Sequence, residues 1–189
     1  MSKFLSPEMK KTLAKPWLWL TAIVVSAGIW TLVFYWASRP PIEKKFNLWV
    51  GAPFELNDEL KSKIEDVCFS AGMKENYINS YDPSDHSYAI AFSMQAASTD
   101  VFILHKDEAL AEAEAEVFRS LPDKYNGENS LEYFYKTDGG EDVAKVIGVK
   151  FVGEYYVFIG SKSVKSNSLL YSVVDLLVEY GLAAEDGTQ

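Results

Sequence analysis

Pro16-Trp-Leu-Trp-Leu-Thr-Ala-Ile-Val-Val-Ser-Ala-Gly-Ile-Trp-Thr-Leu-Val-Phe-Tyr-Trp-Ala-Ser38 holds no charged residue. At 1.5 Å per residue, about 20 such residues cross a hydrocarbon layer roughly 30 Å thick, so the stretch predicts a membrane-spanning helix. Trp17 and Trp19 stand at one end and Tyr35 and Trp36 at the other, where amphipathic rings favour the headgroup region. Pro16 suits a first helical turn, whose N–H groups lack partners anyway, and Pro40-Pro41 cannot continue a helix, so both ends are marked. Two other readings fit less well. A cleavable signal peptide has a shorter apolar core, and cutting after Val25-Ser-Ala27 would leave Ile29 to Trp36 exposed at a new N-terminus. A water-soluble helix is rarely apolar on every side. No cysteine borders the run, which excludes a lipid-modified anchor. Ser26, Ala27 and Gly28 would let another helix approach closely, but no small-xxx-small spacing repeats.

Outward from this run the chain changes character. A basic tail (1–15) precedes it; a Pro-Pro linker (39–45) and a long acidic body (46–189) follow. Met1 to Lys44 carries six Lys/Arg against two Asp/Glu, a net +4, and Lys45 to Gln189 twelve against twenty-five, a net −13. The slight excess of lysines before the helix predicts a cytoplasmic N-terminus and an external domain at the cell membrane. The acidic body has no basic block of the kind that neutralises phosphates, which argues against nucleic acid as a partner. Its net charge is repelled by an anionic bilayer, so it is expected to stand off the membrane. Cys68 is the single cysteine, so no intramolecular disulfide forms, and a body of about 145 residues buries enough apolar surface without one.

Within the body, Phe46-Asn-Leu-Trp-Val50 reads as a strand ended by Gly51-Ala-Pro53. Asn57-Asp58 caps a helix with Leu60, Ile64, Val67, Cys68 and Ala71 on one face and Gly72 as its stop. Tyr77 to Tyr81 suggests a second strand, and Asp82-Pro-Ser-Asp85 is turn chemistry leading into a helix through Ala97 that Asp85 or Ser84 would cap, a stretch whose pattern also reads as a strand. Asp100-Val-Phe-Ile-Leu104 is a short continuous apolar run, as in a strand covered on both faces. Asp107 to Ser120, rich in Ala, Glu and Leu, predicts a long helix stopped by Pro122. Asn126-Gly127 and Gly139-Gly140 turns flank a strand near Leu131 to Tyr135. Ala144 to Phe151 and Tyr155 to Ile159 form a hairpin, and Ser166 or Asn167 caps a last helix ended by Gly181. The order β-α-β-α-β-α, then strands, then a helix, predicts one compact α/β domain with a partly parallel sheet and helices on its faces.

This order resembles the first lobe of the extracellular solute-binding proteins of ABC transporters. The resemblance is carried by the strand Phe46 to Val50, the helix Asn57 to Gly72, a helix near Asp85 to Ala97, the strand Asp100-Val-Phe-Ile-Leu104 with the helix from Asp107, and Tyr155-Tyr-Val-Phe-Ile-Gly-Ser-Lys-Ser163 running into a capped helix. Members of that family close two lobes on a solute; this chain has length for one, so the resemblance implies shared fold and ancestry more than transport.

Chemistry-bearing residues are few. His86 and His105 are the only histidines, so a multi-histidine metal site is unavailable, and Asp82, Asp85 and His86 read as turn and cap residues before they read as cation ligands. No metal or other cofactor is expected. His105, Lys106 and Asp107 follow a strand at its carboxyl end, where ligands gather in α/β sheets. Cys68 lies on an apolar helix face, as a core thiol does. Glu108, Glu112 and Glu116 stack at i, i+4 as a solvated face or an acidic docking face. Trp49, Tyr133, Tyr135, Tyr155 and Tyr156 offer a stacking surface for a sugar or peptide, or pack in the core as strand aromatics usually do. The surface expected to meet a ligand or partner is therefore Trp49, His105, Lys106, Asp107, Tyr133 and Tyr135. With no convincing acid–base pair or nucleophile, the expected function is a non-enzymatic, membrane-anchored binding module. Its expected partners are the bilayer through 16–38, a transporter or cell-surface protein, or a small solute. The alternative is a structural accessory subunit of a larger membrane complex.

Overall fold

The computed structural model describes residues 15–113, 115–136 and 142–185, the side chains at 135, 136, 142–144 and 185 apart. The basic tail before Lys15 and the Gly139-Gly140 turn lie outside these. The chain forms two compact units, Met1–Pro40 and Pro41–Gln189.

The first unit is built on one helix, α1 (Pro16–Ser38), with Pro16 in its first turn and no buried residue. It is long and apolar enough to cross a membrane. Three of its hydroxyls bond back to the carbonyl one turn earlier: Thr21 to Trp17 at 2.9 Å, Thr31 to Ala27 at 2.8 Å and Ser38 to Phe34 at 2.7 Å.

The second unit is an α/β fold. Its elements are β1 (Lys45–Gly51), α2 (Asp58–Ser70), β2 (Glu75–Tyr81), α3 (Tyr88–Gln95), β3 (Val101–His105), α4 (Lys106–Ala113), β4 (Ser130–Lys136), β5 (Asp142–Val152), β6 (Tyr155–Ile159) and α5 (Asn167–Glu185), with short 3₁₀ turns at Ile42–Lys44, Ala96–Ser98 and Asp123–Tyr125. The six strands make one mixed sheet in the order β2-β1-β3-β6-β5-β4. β1 runs parallel to β2 and β3, while β6, β5 and β4 join antiparallel.

Period-two alternation splits the strand residues between two apolar layers. Phe46, Leu48, Val50, Val101, Ile103, Val157 and Ile159 face α2 and α5, whose Leu60, Ile64, Cys68, Leu170, Val173 and Leu177 complete that layer. Trp49, Phe102, Leu104 and Phe158 face the other way and form an aromatic layer with Tyr88 and Phe92 of α3, Ala109 and Ala113 of α4, and Phe118.

Three predicted elements differ in extent. The helix expected over Asp107–Ser120 covers only Lys106–Ala113; Glu116 then takes a positive φ of 52° and the chain doubles back so that Phe118 bridges to Gly160. Phe118 ends between Phe102 and Phe158, at 5.4 and 4.6 Å between ring centres, so aromatic burial outweighs the helix propensity of an Ala/Glu stretch. Gly181 does not end the last helix, which continues to Glu185. A Cβ at 181 would stand 1.7 Å from the Phe151 carbonyl oxygen, so this glycine is where α5 lies against β5. α3 starts at Tyr88 behind Ser87, which makes no side-chain cap; Asp82 instead closes the turn before it, accepting from the Ser84 N–H and hydroxyl at 2.9 and 2.8 Å.

Candidate functional site

In a sheet with parallel strands the loops at their carboxyl ends leave room between the flanking helices. Here that edge carries the ends of β1, β2 and β3. Because β6 returns antiparallel beside β3, with His105 opposite Tyr155, the β5–β6 turn is brought to the same edge. The Lys106 N–H donates to the Glu154 carbonyl at 2.9 Å, fixing that turn against the start of α4.

His105 lies 3.1 Å from Glu154 through Nε2, and its Nδ1 accepts the Asp107 backbone N–H at 3.3 Å. An accepting Nδ1 assigns the proton of the neutral ring to Nε2, aimed at the Glu154 carboxylate. Asp107 itself is exposed, its carboxylate 3.8 Å from Nδ1. One residue further, half-buried Glu108 accepts a hydrogen bond from the Tyr88 hydroxyl. Burial raises the Glu108 carboxyl above the usual glutamate range and Glu112 adds to this, while Tyr88 and His105 oppose it. The Tyr88 hydroxyl is raised in turn, by burial first and by Glu108 next.

Beneath them Trp49 is 1% exposed. Tyr81 stacks on it at 4.1 Å and 17°, and Phe92 meets it edge-on at 5.5 Å. Its indole N–H lies beside the Tyr88 hydroxyl and makes no hydrogen bond among the described residues. Gly51 permits this arrangement: a Cβ there would stand 2.2 Å from the Tyr88 hydroxyl oxygen.

On the other side of His105 the Tyr155 ring presents its edge at 5.4 Å, and Phe54 packs against Tyr155 at 5.1 Å. Phe54 is also one wall of a groove of about 160 Å³ lined by Leu56, Phe151, Val152, Tyr180 and Ala184. Asn57 shapes its floor by capping α2, accepting the Leu60 N–H at 2.8 Å, while its amide donates to the Tyr180 hydroxyl. The edge thus runs from an apolar groove, over an aromatic ring, to a histidine among carboxylates. Such a strip accepts hydrogen bonds from cations and offers them ring faces.

Of the residues expected to meet a ligand, His105, Lys106 and Asp107 are on this edge, half-exposed or exposed. Trp49 is in the core under α3 and presents no face to solvent. Tyr133 on β4 packs half-buried against the aromatic layer, and the Tyr135 side chain lies outside the described residues. Glu108 separates from the expected i, i+4 acidic face by turning toward Tyr88, and Glu116 lies beyond the helix. Glu154, Phe54 and Tyr180 carry no signal in the sequence; only the antiparallel return of β6 and the packing of α5 bring them here. Among the described residues no group of three or more His, Cys, Asp or Glu is arranged to hold a metal. Cys68 is buried and its thiol is pushed up to about 12, mainly by burial.

A second polar cluster closes the opposite, amino edge. Asp100 and Lys165 side chains are 3% and 2% exposed, with Nζ 3.7 Å from Oδ1. Asp100 also accepts the Asn47 N–H at 2.9 Å and the Ser163 hydroxyl, and Lys165 donates to the Ile42 carbonyl at 2.8 Å. This clasp ties the 161–165 loop to the first turn of the second unit, and its groups are occupied with one another.

The chain matches no protein-family model, no curated protein and no solved structure.

Proposed function

We propose that this is a single-pass membrane protein whose second unit is a non-enzymatic binding module, displayed outside the cytoplasm, that takes a cationic partner on the carboxyl edge of its sheet. The observation that carries the binding reading is the row of Glu108, His105 and Glu154 beside Tyr155 and the Phe54 groove. Paired acceptors next to aromatic rings suit a lysine, arginine or amine attached to an apolar group. The anchor reading is supported by the length and apolarity of α1 and by the bonding of the Thr21, Thr31 and Ser38 hydroxyls within the helix. The order of elements that resembles one lobe of a solute-binding protein fits the same picture, with binding on an open edge instead of between two lobes.

Titration of the full-length chain in detergent with short basic, acidic and neutral peptides, followed by calorimetry, tests this. Basic peptides bind, added salt weakens them, and Glu108→Gln or Glu154→Gln each lowers affinity by roughly two- to fivefold, the range for a partly exposed charge pair. Binding of acidic or neutral peptides with equal strength, or indifference to both substitutions, refutes it.

A further inference from the structure

The first N–H groups of a helix have no acceptor within it, and two of those that open α4 are met from outside. The Lys106 N–H donates to the Glu154 carbonyl at 2.9 Å and the Asp107 N–H to His105 Nδ1 at 3.3 Å. His105 stands one position before α4, where its ring takes the capping role that Ser, Asp or Asn usually fills. An imidazole differs from those caps in one respect. Its nitrogen accepts only while unprotonated, and histidine is the side chain that ordinarily titrates between about pH 5 and 8. The Nε2–H bond to the Glu154 carboxylate, at 3.1 Å, survives when the ring charges. The bond from the Asp107 N–H does not, because Nδ1 then carries a proton of its own. The Asp107 carboxylate, 3.8 Å from Nδ1, is the acceptor in reach of that proton. A cation at a helix N-terminus also opposes the helix dipole, and the strain falls on the turn that carries Glu108, the partner of the Tyr88 hydroxyl.

We propose that His105 is a proton-operated cap that regulates the carboxyl edge: neutral, it holds the first turn of α4 and leaves Glu108 and Glu154 with charge to offer a cation; protonated, it releases the Asp107 N–H, pairs with the carboxylates beside it and weakens the hold on a cationic partner. The inference rests on the binding reading above and adds its regulation. On α4 the ring faces Asp107 and Glu108, with Glu112 acting on Glu108 from one turn further, and Lys106 lies exposed next to it. On the β5–β6 turn it faces Glu154, and Asp82 acts on the neighbouring Tyr155. The Tyr88 and Tyr155 hydroxyls are raised by burial and keep their protons throughout. Burial also lifts the Glu108 carboxyl, so Glu108 too takes up a proton on acidification and weakens cation binding in the same direction. A variant that removes only the His105 titration separates the two.

His105→Asn is that variant, since an asparagine carbonyl is among the preferred helix caps and does not titrate. The full-length parent and His105→Asn are compared in detergent at about pH 7.5 and about pH 5.5, on either side of the ordinary histidine range. Residue-resolved amide exchange reads the cap, and calorimetry with the basic peptide reads the edge. The protection factor of the Asp107 amide falls severalfold on acidification in the parent and holds in His105→Asn, while the Lys106 amide, bonded to a carbonyl, holds in both. Peptide affinity falls in both chains through Glu108, but by roughly two- to fivefold more in the parent, the effect of one added charge beside a partly exposed pair. Unchanged Asp107 protection in the parent, or an equal fall in affinity in the two chains, overturns the cap and leaves the binding reading standing. A parent that binds no basic peptide at either pH overturns the binding reading and its regulation together.

Discussion

Lys165→Met breaks the amino-edge clasp at its most buried point. The substitution keeps most of the side-chain volume and removes the ammonium, leaving Asp100, 3% exposed, with two hydrogen bonds and no counter-charge. Removing one partner of a buried ion pair costs about 3–5 kcal/mol, against 0–1 for a surface pair. At 2–4 °C per kcal/mol for a unit of this size, the melting temperature falls by about 10 °C. Burial raises the Asp100 carboxyl, with Ser163, Asn47 and Lys165 opposing it. A raised folded-state value means that its contribution to stability is present below the ordinary aspartate range and is lost as pH rises through the raised value. The Lys165→Met penalty is therefore smaller in acid, where Asp100 takes up a proton, than at neutral pH. Pulsed thiol labelling in a urea series measures this without interference from α1, because Cys68 becomes accessible only when the second unit opens. Asp100→Asn/Lys165→Met costs well below the sum of the two single changes, since no unpaired charge is left. A loss under about 1 kcal/mol for Lys165→Met, or strict additivity in the double variant, would refute the clasp as described.

Native Cys68 stays unreactive to maleimide at neutral pH and reacts promptly in denaturant; fast labelling of the folded chain would contradict its burial and raised thiol. Gly181→Ala loses about 1–3 kcal/mol, because the new methyl meets a backbone carbonyl that cannot rotate away, and urea midpoints read the change. Glu108 has a raised folded-state carboxyl, so its contribution is present below the ordinary glutamate range and is lost as pH climbs through the raised value. Glu108→Gln therefore gains stability relative to the parent across that rise, and parallel melting curves at acidic and neutral pH show a gap that widens with pH.

What the sequence by itself determined is whatever depends on local order. The uncharged run Pro16 to Ser38 and its proline-marked ends specify α1, period-two alternation in Phe46 to Val50 specifies which side chains of β1 share a layer, and the Asn57 cap starts α2. The continuous apolar run before His105 already placed His105, Lys106 and Asp107 at a strand's carboxyl end. Tertiary structure decided the rest. Phe118 shortened α4 because its ring is worth more against Phe102 and Phe158 than one further helical turn, and Gly181 stayed helical because α5 presses on Phe151. Glu154 joined His105 only through the register of β6 against β3, 49 residues apart in sequence, and Lys165 met Asp100 through the loop after that same strand. Partners so far apart leave no local trace, since the free energy that selects them is realised only when the whole sheet has formed.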